Sequence, residues 1–374
     1  MRHRAEAGAS RARRRLAGQR GAAPRGGPGK QTAVKAAVLH GPGDVRVESI
    51  PGPVAGPGEA IVRVSAAGLC GTDYRIWSGD RRVRYPLIMG HELIGAVVSV
   101  GPGVANVVPG QKVAVQPNYS CGACPLCREG NWNLCLSRTA VGIDVDGGFA
   151  EQARLPARVC WPAPADLADD QLLLAEPLAV VVRAVLRGEA LAGETAAVLG
   201  VGTLGLLAVQ VLKARGLRVL AVARSERRLE LARAMGAAAV ATTAGAAMGA
   251  AGTPSVEAAR ALSGREGVDL VVETAGTAEA VEQAVELARP GGRVVLTGLP
   301  HEPSSLHFFW VVRRELRLIG SMIYQDEFPE AIRLLASGAV RTERLLTHRF
   351  PLEAIQDAFV AHRSPESIKV AVIP

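Results

Sequence analysis

Two rhythms of apolar and polar residues divide the chain. From Val34 to about Glu189, short β-type apolar runs at 36–39, 45–49, 59–65, 95–100 and 112–116 are separated by Gly/Pro turns. That pattern predicts an all-β or α+β barrel-like unit. After Leu191 the rhythm becomes apolar strand, glycine turn and helix: strands at 196–199, 217–222, 268–274 and 292–297 alternate with helical stretches at 225–235 and 278–288. Alternation of this kind predicts a parallel, doubly wound sheet and an α/β class for the whole. The chain is expected to leave that sheet after 317–321, form a helix over 326–337, and close with a strand at 367–373 that returns to the first unit. The stretch 195–212 runs eighteen residues without a charge, long enough to span a membrane. Its three glycines and the flanking Glu194 and Lys213 fit a buried strand, turn and helix instead, and no membrane partner is expected.

Composition narrows the class. With 374 residues, 48% hydrophobic and 4% aromatic, the chain is too apolar and varied to be collagenous or disordered. Six cysteines, four of them between positions 121 and 135, are too few and too clustered for a disulfide framework, which points to a reducing, cytoplasmic setting. The net charge of +8 suggests nucleic acid until it is located. Residues 1–33 hold eight arginines and Lys30 against Glu6 alone, whereas the other 341 residues carry 34 basic and 34 acidic side chains. A polyanion footprint would therefore have to lie in the tail, and nucleic acid is not the expected partner. This segment lacks the apolar core of a secretory signal, and its Gly26-Gly27-Pro28-Gly29 run opposes a sustained amphipathic helix. Arginine outnumbers lysine 38 to 5, as in a GC-rich gene, and a fold-like strand begins at Val34, which a GTG start codon could encode. We read 1–33 as a start-site extension or a dispensable, disordered arm.

Three constellations carry chemistry. Cys121, Cys124, Cys127 and Cys135 can close a tetrahedral thiolate site with no open position, as structural zinc requires; an iron–sulfur cluster is the other metal group such a set could hold. Cys160 stands apart beside Trp161 and reads as a small core residue. The second constellation is Gly200-Val201-Gly202-Thr203-Leu204-Gly205, with an apolar strand before it and a helix after it. Gly200 permits the tight turn, Gly202 lets a pyrophosphate approach the backbone, and Gly205 lets helix pack on strand, with free N–H groups of the helix N-terminus facing the anion. The next strand ends in Ala223-Arg224-Ser225-Glu226-Arg227-Arg228, where an NAD site would place an acid for the ribose hydroxyls. Arg224, Ser225 and Arg228 can hold a 2′-phosphate, so NADP(H) is favoured over NAD(H), although Glu226 is close and Arg227 fits a solvated helix face. The third constellation is dispersed: Cys70, Thr72 and Asp73; His91 and Glu92; and Glu176 before Pro177. Thiolate, imidazole and carboxylate make a three-ligand zinc site with a fourth position open to water or substrate oxygen, although each residue taken singly also suits a structural role.

Taken together, the 68–73 segment, Gly90-His91-Glu92, the four-cysteine lobe, Glu176-Pro177-Leu178-Ala179-Val180 and the 200–205 turn resemble the zinc-dependent medium-chain alcohol dehydrogenase superfamily, in its polyol (sorbitol-type), butanediol and threonine dehydrogenase branch. The resemblance covers Val34 to Pro374. It implies a GroES-like β-rich catalytic domain in two parts, 34–186 (with a structural zinc lobe at 117–136) and 324–374, around a Rossmann NADP(H)-binding domain at 187–323. It implies a catalytic zinc on Cys70 and His91 with Glu92 or Glu176, and Asp73 behind the histidine. An alcohol would then give its proton to Thr72 and its hydride to the nicotinamide, with zinc lowering the alcohol's pKa. Many relatives place a histidine soon after Cys-Gly-Thr-Asp to relay the proton. Here Tyr74, Arg75, Ile76 and Trp77 follow, which weakens a threonine-type 3-dehydrogenase relative to a secondary alcohol or polyol dehydrogenase. Tyr74, Trp77 and Phe149 are candidate pocket residues, and a homodimer or homotetramer is expected, joined near Leu316 to Met322. A non-enzymatic nucleotide-binding protein with a nucleic-acid-binding arm is the reading of a different class; the retained ligand set argues against it.

Overall fold

Strand-forming runs rich in Val, Ala and Leu do pair where the apolar rhythm places them, and the pairing sorts them into two main sheets. The structure is a computed structural model that describes residues 32–243, 253–299, 303 and 306–374. Of the basic arm expected at 1–33, residues 1–31 lie outside the described residues, and Ala33 already opens the first strand, Ala33–Gly41.

One sheet is mixed and mostly antiparallel. Its order runs Cys160–Pro162, Lys112–Val115, Glu92–Val100, Glu59–Leu69, Lys369–Ile373 and Leu346–Pro351, with Gln152–Pro156 also paired to Glu59–Leu69. The C-terminal strand Lys369–Ile373 thus pairs antiparallel with Glu59–Leu69, returning the end of the chain to the sheet built by its first half. A three-stranded sheet, Asp44–Pro51, Ala33–Gly41 and Leu87–Ile88, accompanies it. The register matters for chemistry. Gly68 faces Glu92 across the ladder, and a Cβ at Gly68 would overlap the Glu92 carboxylate, so the glycine makes room for that side chain.

The second sheet is parallel throughout and six-stranded: Ala239–Thr242, Arg218–Ala223, Thr195–Leu199, Val268–Glu273, Ala288–Leu296 and Arg317–Gly320. Numbered along the chain this order is 3-2-1-4-5-6, the doubly wound arrangement whose strand order reverses beside the first strand. Thr195–Leu199 is buried at every position, as a strand covered on both faces must be. The uncharged stretch 195–212 is this strand, the glycine turn and the helix Thr203–Ala214, and among the described residues no helix is long and apolar enough to cross a membrane. The helix Ala175–Arg187 packs between the sheets. It buries Leu178, Val181, Val182 and Val185 in a core shared with Ile94 and Ala114 of the mixed sheet and with Leu206 and Val209 of the glycine-turn helix. Each such side chain contributes about 1.5–3 kcal/mol of burial, which ties both sheets to one core.

The candidate catalytic and metal centres

The segment after Glu59–Leu69 turns into a short helix, Gly71–Trp77, with Cys70 at its N-cap position. Asp73 stabilises that start by accepting the Cys70 N–H on Oδ2 at 2.9 Å. Its other oxygen stands 3.1 Å from His91 Nδ1. This fixes the imidazole with its proton on Nδ1 and leaves the Nε2 lone pair for a metal. Asp73 is fully buried. Burial pushes its pKa up, but the neighbouring His91 and the Cys70 N–H outweigh this and hold it below the usual carboxylate range. For His91, burial pulls the other way and is again outweighed, so the imidazole lies well above its ordinary value beside Asp73 and Cys70.

Cys70, His91 and Glu92 each present one ligand atom, and all three lie within 4.8 Å of one another. Glu176, from the first turn of Ala175–Arg187, does not belong to that cluster. Burial, and then the charge of Glu92, raise its pKa to about 7, while the fully buried Tyr324 hydroxyl hydrogen-bonds to it. The same hydroxyl accepts from the Asn118 amide at 2.8 Å. Glu92 has a partner of its own, since Lys369 Nζ bonds its Oε2 in an ion pair with both side chains almost wholly buried. Lys369 and Tyr324 were missed from sequence. The available signal for the first was a lone cation inside the apolar closing strand.

Thr72 sits on the same helix, between the N-cap residue Cys70 and Asp73. Tyr74 stacks on His362 with centroids 6.2 Å apart and lies beneath the Arg363 guanidinium, whereas Trp77 stacks on Phe359 at 5.1 Å. Phe149 is fully buried and meets Phe359 edge-on. Trp77 and Phe149 are therefore packing partners of one helix, Ile355–His362. Burial, with Lys369 nearby, pushes the His362 imidazole down to about 4.

The four-cysteine lobe closes on itself. Sulfur–sulfur separations are 3.5 Å for Cys124–Cys127 and Cys135–Cys121, 3.9 Å for Cys124–Cys135 and 4.0 Å for Cys121–Cys127. A tetrahedron with metal–sulfur bonds of about 2.3 Å requires edges of about 3.8 Å, so this donor set fits zinc. Backbone N–H groups of Leu136 and Cys127 lower the Cys124 thiol to about 6, favouring the thiolate that a metal needs. All six cysteines are free of disulfides, and burial pushes the isolated Cys160 up to about 12, as expected of an inert core thiol.

The glycine turn has the form its spacing predicts. Gly200 adopts φ +86°, a Cβ on Gly202 would meet nothing within 4 Å, and a Cβ on Gly205 would overlap the Gly200 carbonyl oxygen. Open backbone at Gly202, at the N-cap of Thr203–Ala214 with Leu204 in its first turn, is a cradle for a dinucleotide pyrophosphate. Thr203 Oγ1 donates to the Ile368 carbonyl at 2.7 Å. Ser225 occupies the N-cap position of Glu226–Ala234 without a side-chain capping bond, Arg224 is exposed, and Arg228 donates to the Ser367 carbonyl at 3.0 Å.

Residues 203–337 match the zinc-binding dehydrogenase family, and residues 56–165 match the alcohol dehydrogenase GroES-like domain. The chain belongs to the zinc-dependent medium-chain alcohol dehydrogenase superfamily. Within its polyol and threonine dehydrogenase branch, this dehydrogenase is 32% identical over 350 residues to the sorbitol dehydrogenase of Bacillus subtilis (strain 168), covering 91% of this chain and 97% of that one. It is 34% identical over 337 residues to the L-threonine 3-dehydrogenase of Bacillus velezensis, covering 88% and 95%. A solved NADP-bound structure from Sinorhizobium meliloti 1021 superposes with TM-score 0.85 at 35% identity, covering 92% of this chain and all of that one. A second, RspB of Escherichia coli CFT073 with NADH, superposes with TM-score 0.84 at 31% identity, covering 91% and 99%.

Proposed function

We propose that this enzyme is an NADP(H)-preferring, zinc-dependent dehydrogenase of secondary alcohols or polyols, working equally as a ketose reductase. The observation that carries this reading is the convergence of Cys70, His91 and Glu92 with Asp73 behind the histidine, on the same chain as an open glycine cradle. Cys70, His91 and Glu92 would hold the zinc, which would supply the Lewis acidity that lowers the pKa of a substrate hydroxyl. Cys70 and Glu92 are the anionic members of that set, and the buried Lys369 paired with Glu92 offsets one of their two negative charges. Asp73 fixes the His91 ring, Thr72 takes the substrate proton, and Glu176, steadied by Tyr324, stands behind the ligand set as a second carboxylate. Gly200, Gly202, Thr203, Leu204 and Gly205 cradle the cofactor pyrophosphate, and Arg224, Ser225 and Arg228 face its 2′-phosphate. Cys121, Cys124, Cys127 and Cys135 hold a second, structural zinc. A bound nicotinamide would accept the hydride of the carbinol carbon as Thr72 takes up the hydroxyl proton, so that an alcohol would give a ketone.

The domain division that goes with this reading is a GroES-like unit of 34–186 and 324–374 around a Rossmann unit of 187–323. A cytoplasmic enzyme is consistent with thiols that must stay reduced. A homodimer or homotetramer is consistent with the parallel sheet's terminal strand Arg317–Gly320 and the exposed Phe308, Phe309 and Val312 beside it. A threonine-type 3-dehydrogenase is the second reading, favoured by relatives of that activity and weakened by Arg75 and its neighbours where a relay histidine would stand. Steady-state rates with sorbitol-type polyols, 2,3-butanediol and threonine, each with NADP and NAD, separate the two. Threonine exceeding every polyol would reverse the order, and NAD exceeding NADP would remove the phosphate reading.

A further inference from the structure

Along the seam between the helix Glu226–Ala234 and the C-terminal segment lies a cavity of about 210 Å³. Arg227, Arg228, Arg344, Thr347, Glu366 and Ile368 are among its lining residues. Three guanidinium groups against one carboxylate leave its wall two charges positive. Among the described residues none of the three arginines has an ion-pair partner, and Glu226 on the same helix is bonded to Arg233 instead. Arg228 is half-buried, spends one N–H on the Ser367 carbonyl, and has its pKa lowered by burial and by Arg224 and Arg227. Ser367 beside it is buried, and its hydroxyl has no partner. Arg344 adopts φ +76°, a left-handed conformation that it shares with Glu189, Glu315 and Ile323 and that a long side chain does not take without cost. The wall also borders the cofactor cradle, because Ile368 accepts the hydrogen bond of Thr203 in the glycine-turn helix.

We propose that this cavity is a phosphomonoester site, filled by the adenosine 2′-phosphate of NADP(H), and that Arg344 is a cofactor-specificity residue supplied by the C-terminal segment opposite Arg228. The inference rests on the NADP(H) reading above and deepens it. A phosphomonoester carries nearly two negative charges at neutral pH, which matches the surplus of the wall. Discrimination between the two cofactors then depends on a residue about 120 positions beyond the strand end where the arginine cluster begins, because the phosphate is gripped from both sides of the seam.

Calorimetric titration of the zinc-loaded enzyme with adenosine 2′,5′-bisphosphate and with adenosine 5′-monophosphate tests this. Wild type is expected to bind the bisphosphate more tightly. Arg344→Gln should weaken the bisphosphate by about tenfold and leave the monophosphate unchanged. Arg344→Gly, which suits the left-handed backbone, should show the same loss with an unchanged or raised melting temperature. A preference for the bisphosphate that survives both variants overturns the role of Arg344 while the NADP(H) reading stands. An equal loss for both ligands assigns Arg344 a merely structural role and also overturns it. No preference in wild type removes the NADP(H) reading and this occupant together. Inorganic phosphate binding saturably to enzyme already holding NADPH would put a different anion in the cavity and overturn the assignment.

Discussion

Replacing Lys369 by Met isolates the electrostatics of the centre. The ammonium and the Glu92 carboxylate expose 4% and 3% of their side chains, and beyond Glu92 the ammonium's hydrogen-bond partner among the described residues is the Leu69 carbonyl, at 3.4 Å. Burial disfavours the charged lysine, yet Glu92 and then Cys70 outweigh it and hold its pKa above the ordinary value. Two unit charges 4 Å apart attract by about 4 kcal/mol at an effective dielectric of about 20, and removing one member of a buried pair costs about 3–5 kcal/mol because the other is left uncompensated. Methionine preserves most of the side-chain volume, so cavity formation adds little. In zinc-stripped enzyme, Lys369→Met should therefore cost about 3–5 kcal/mol. With zinc bound, the metal replaces lysine as the counter-charge of Glu92, and the loss should fall below about 2 kcal/mol. Denaturant unfolding of both forms, with zinc content measured in parallel, provides the comparison. Equal losses with and without zinc would refute the placement of Glu92 at the metal, since the carboxylate would then be indifferent to the ion.

Other consequences follow from single contacts. Asp269 accepts the Thr195 N–H and hydroxyl, each at 2.8 Å, and Arg289 Nε at 2.7 Å. Burial raises its pKa, but these bonds outweigh it and bring it down to about 2. A depressed carboxylate stabilises the fold above its unfolded pKa of about 4 and loses that contribution as pH falls towards 2, so Asp269→Asn should cost about 2–3 kcal/mol at neutral pH and progressively less below pH 4. Melting curves across pH check this, and a gap that widens on acidification would contradict it. Cys135 is buried, and its sulfur accepts the Cys121 N–H at 3.3 Å. Cys135→Ser should lose one zinc equivalent by elemental analysis and lower the melting temperature, while the other zinc remains. Gly205→Ala drives a methyl group into the Gly200 carbonyl oxygen. Overpacking of about 1–3 kcal/mol there should weaken dinucleotide binding by about tenfold or more, measured by nicotinamide fluorescence.

Much of the architecture was legible because it rests on local period. The strand Thr195–Leu199, the turn and the helix Thr203–Ala214 lie within one continuous apolar run, and the four cysteines within one short window. The same holds for Cys70 and Asp73, which lie on one helical turn. What escaped is long-range. Lys369 meets Glu92 across 277 positions and Tyr324 meets Asn118 across 206, and no periodicity encodes either pairing. Phe149 and Trp77 read as pocket residues because aromatic side chains serve a pocket or a core equally well, and only Phe359, brought alongside by the helix Ile355–His362, decides for the core. Arg228 was placed towards the cofactor from the end of its strand. Its bond to Ser367 depends on the C-terminal segment returning to the parallel sheet's edge of the core, which only the tertiary fold supplies.

The activity proposed for this enzyme is metal-dependent hydride transfer between an alcohol and NADP. It is tested most directly by following NADPH formation across a panel of secondary alcohols and polyols with native enzyme, with enzyme stripped by a chelator, and with stripped enzyme given back zinc. Turnover that disappears on stripping and returns with zinc is the predicted result. Turnover that persists at full rate after both zinc ions are removed would contradict it.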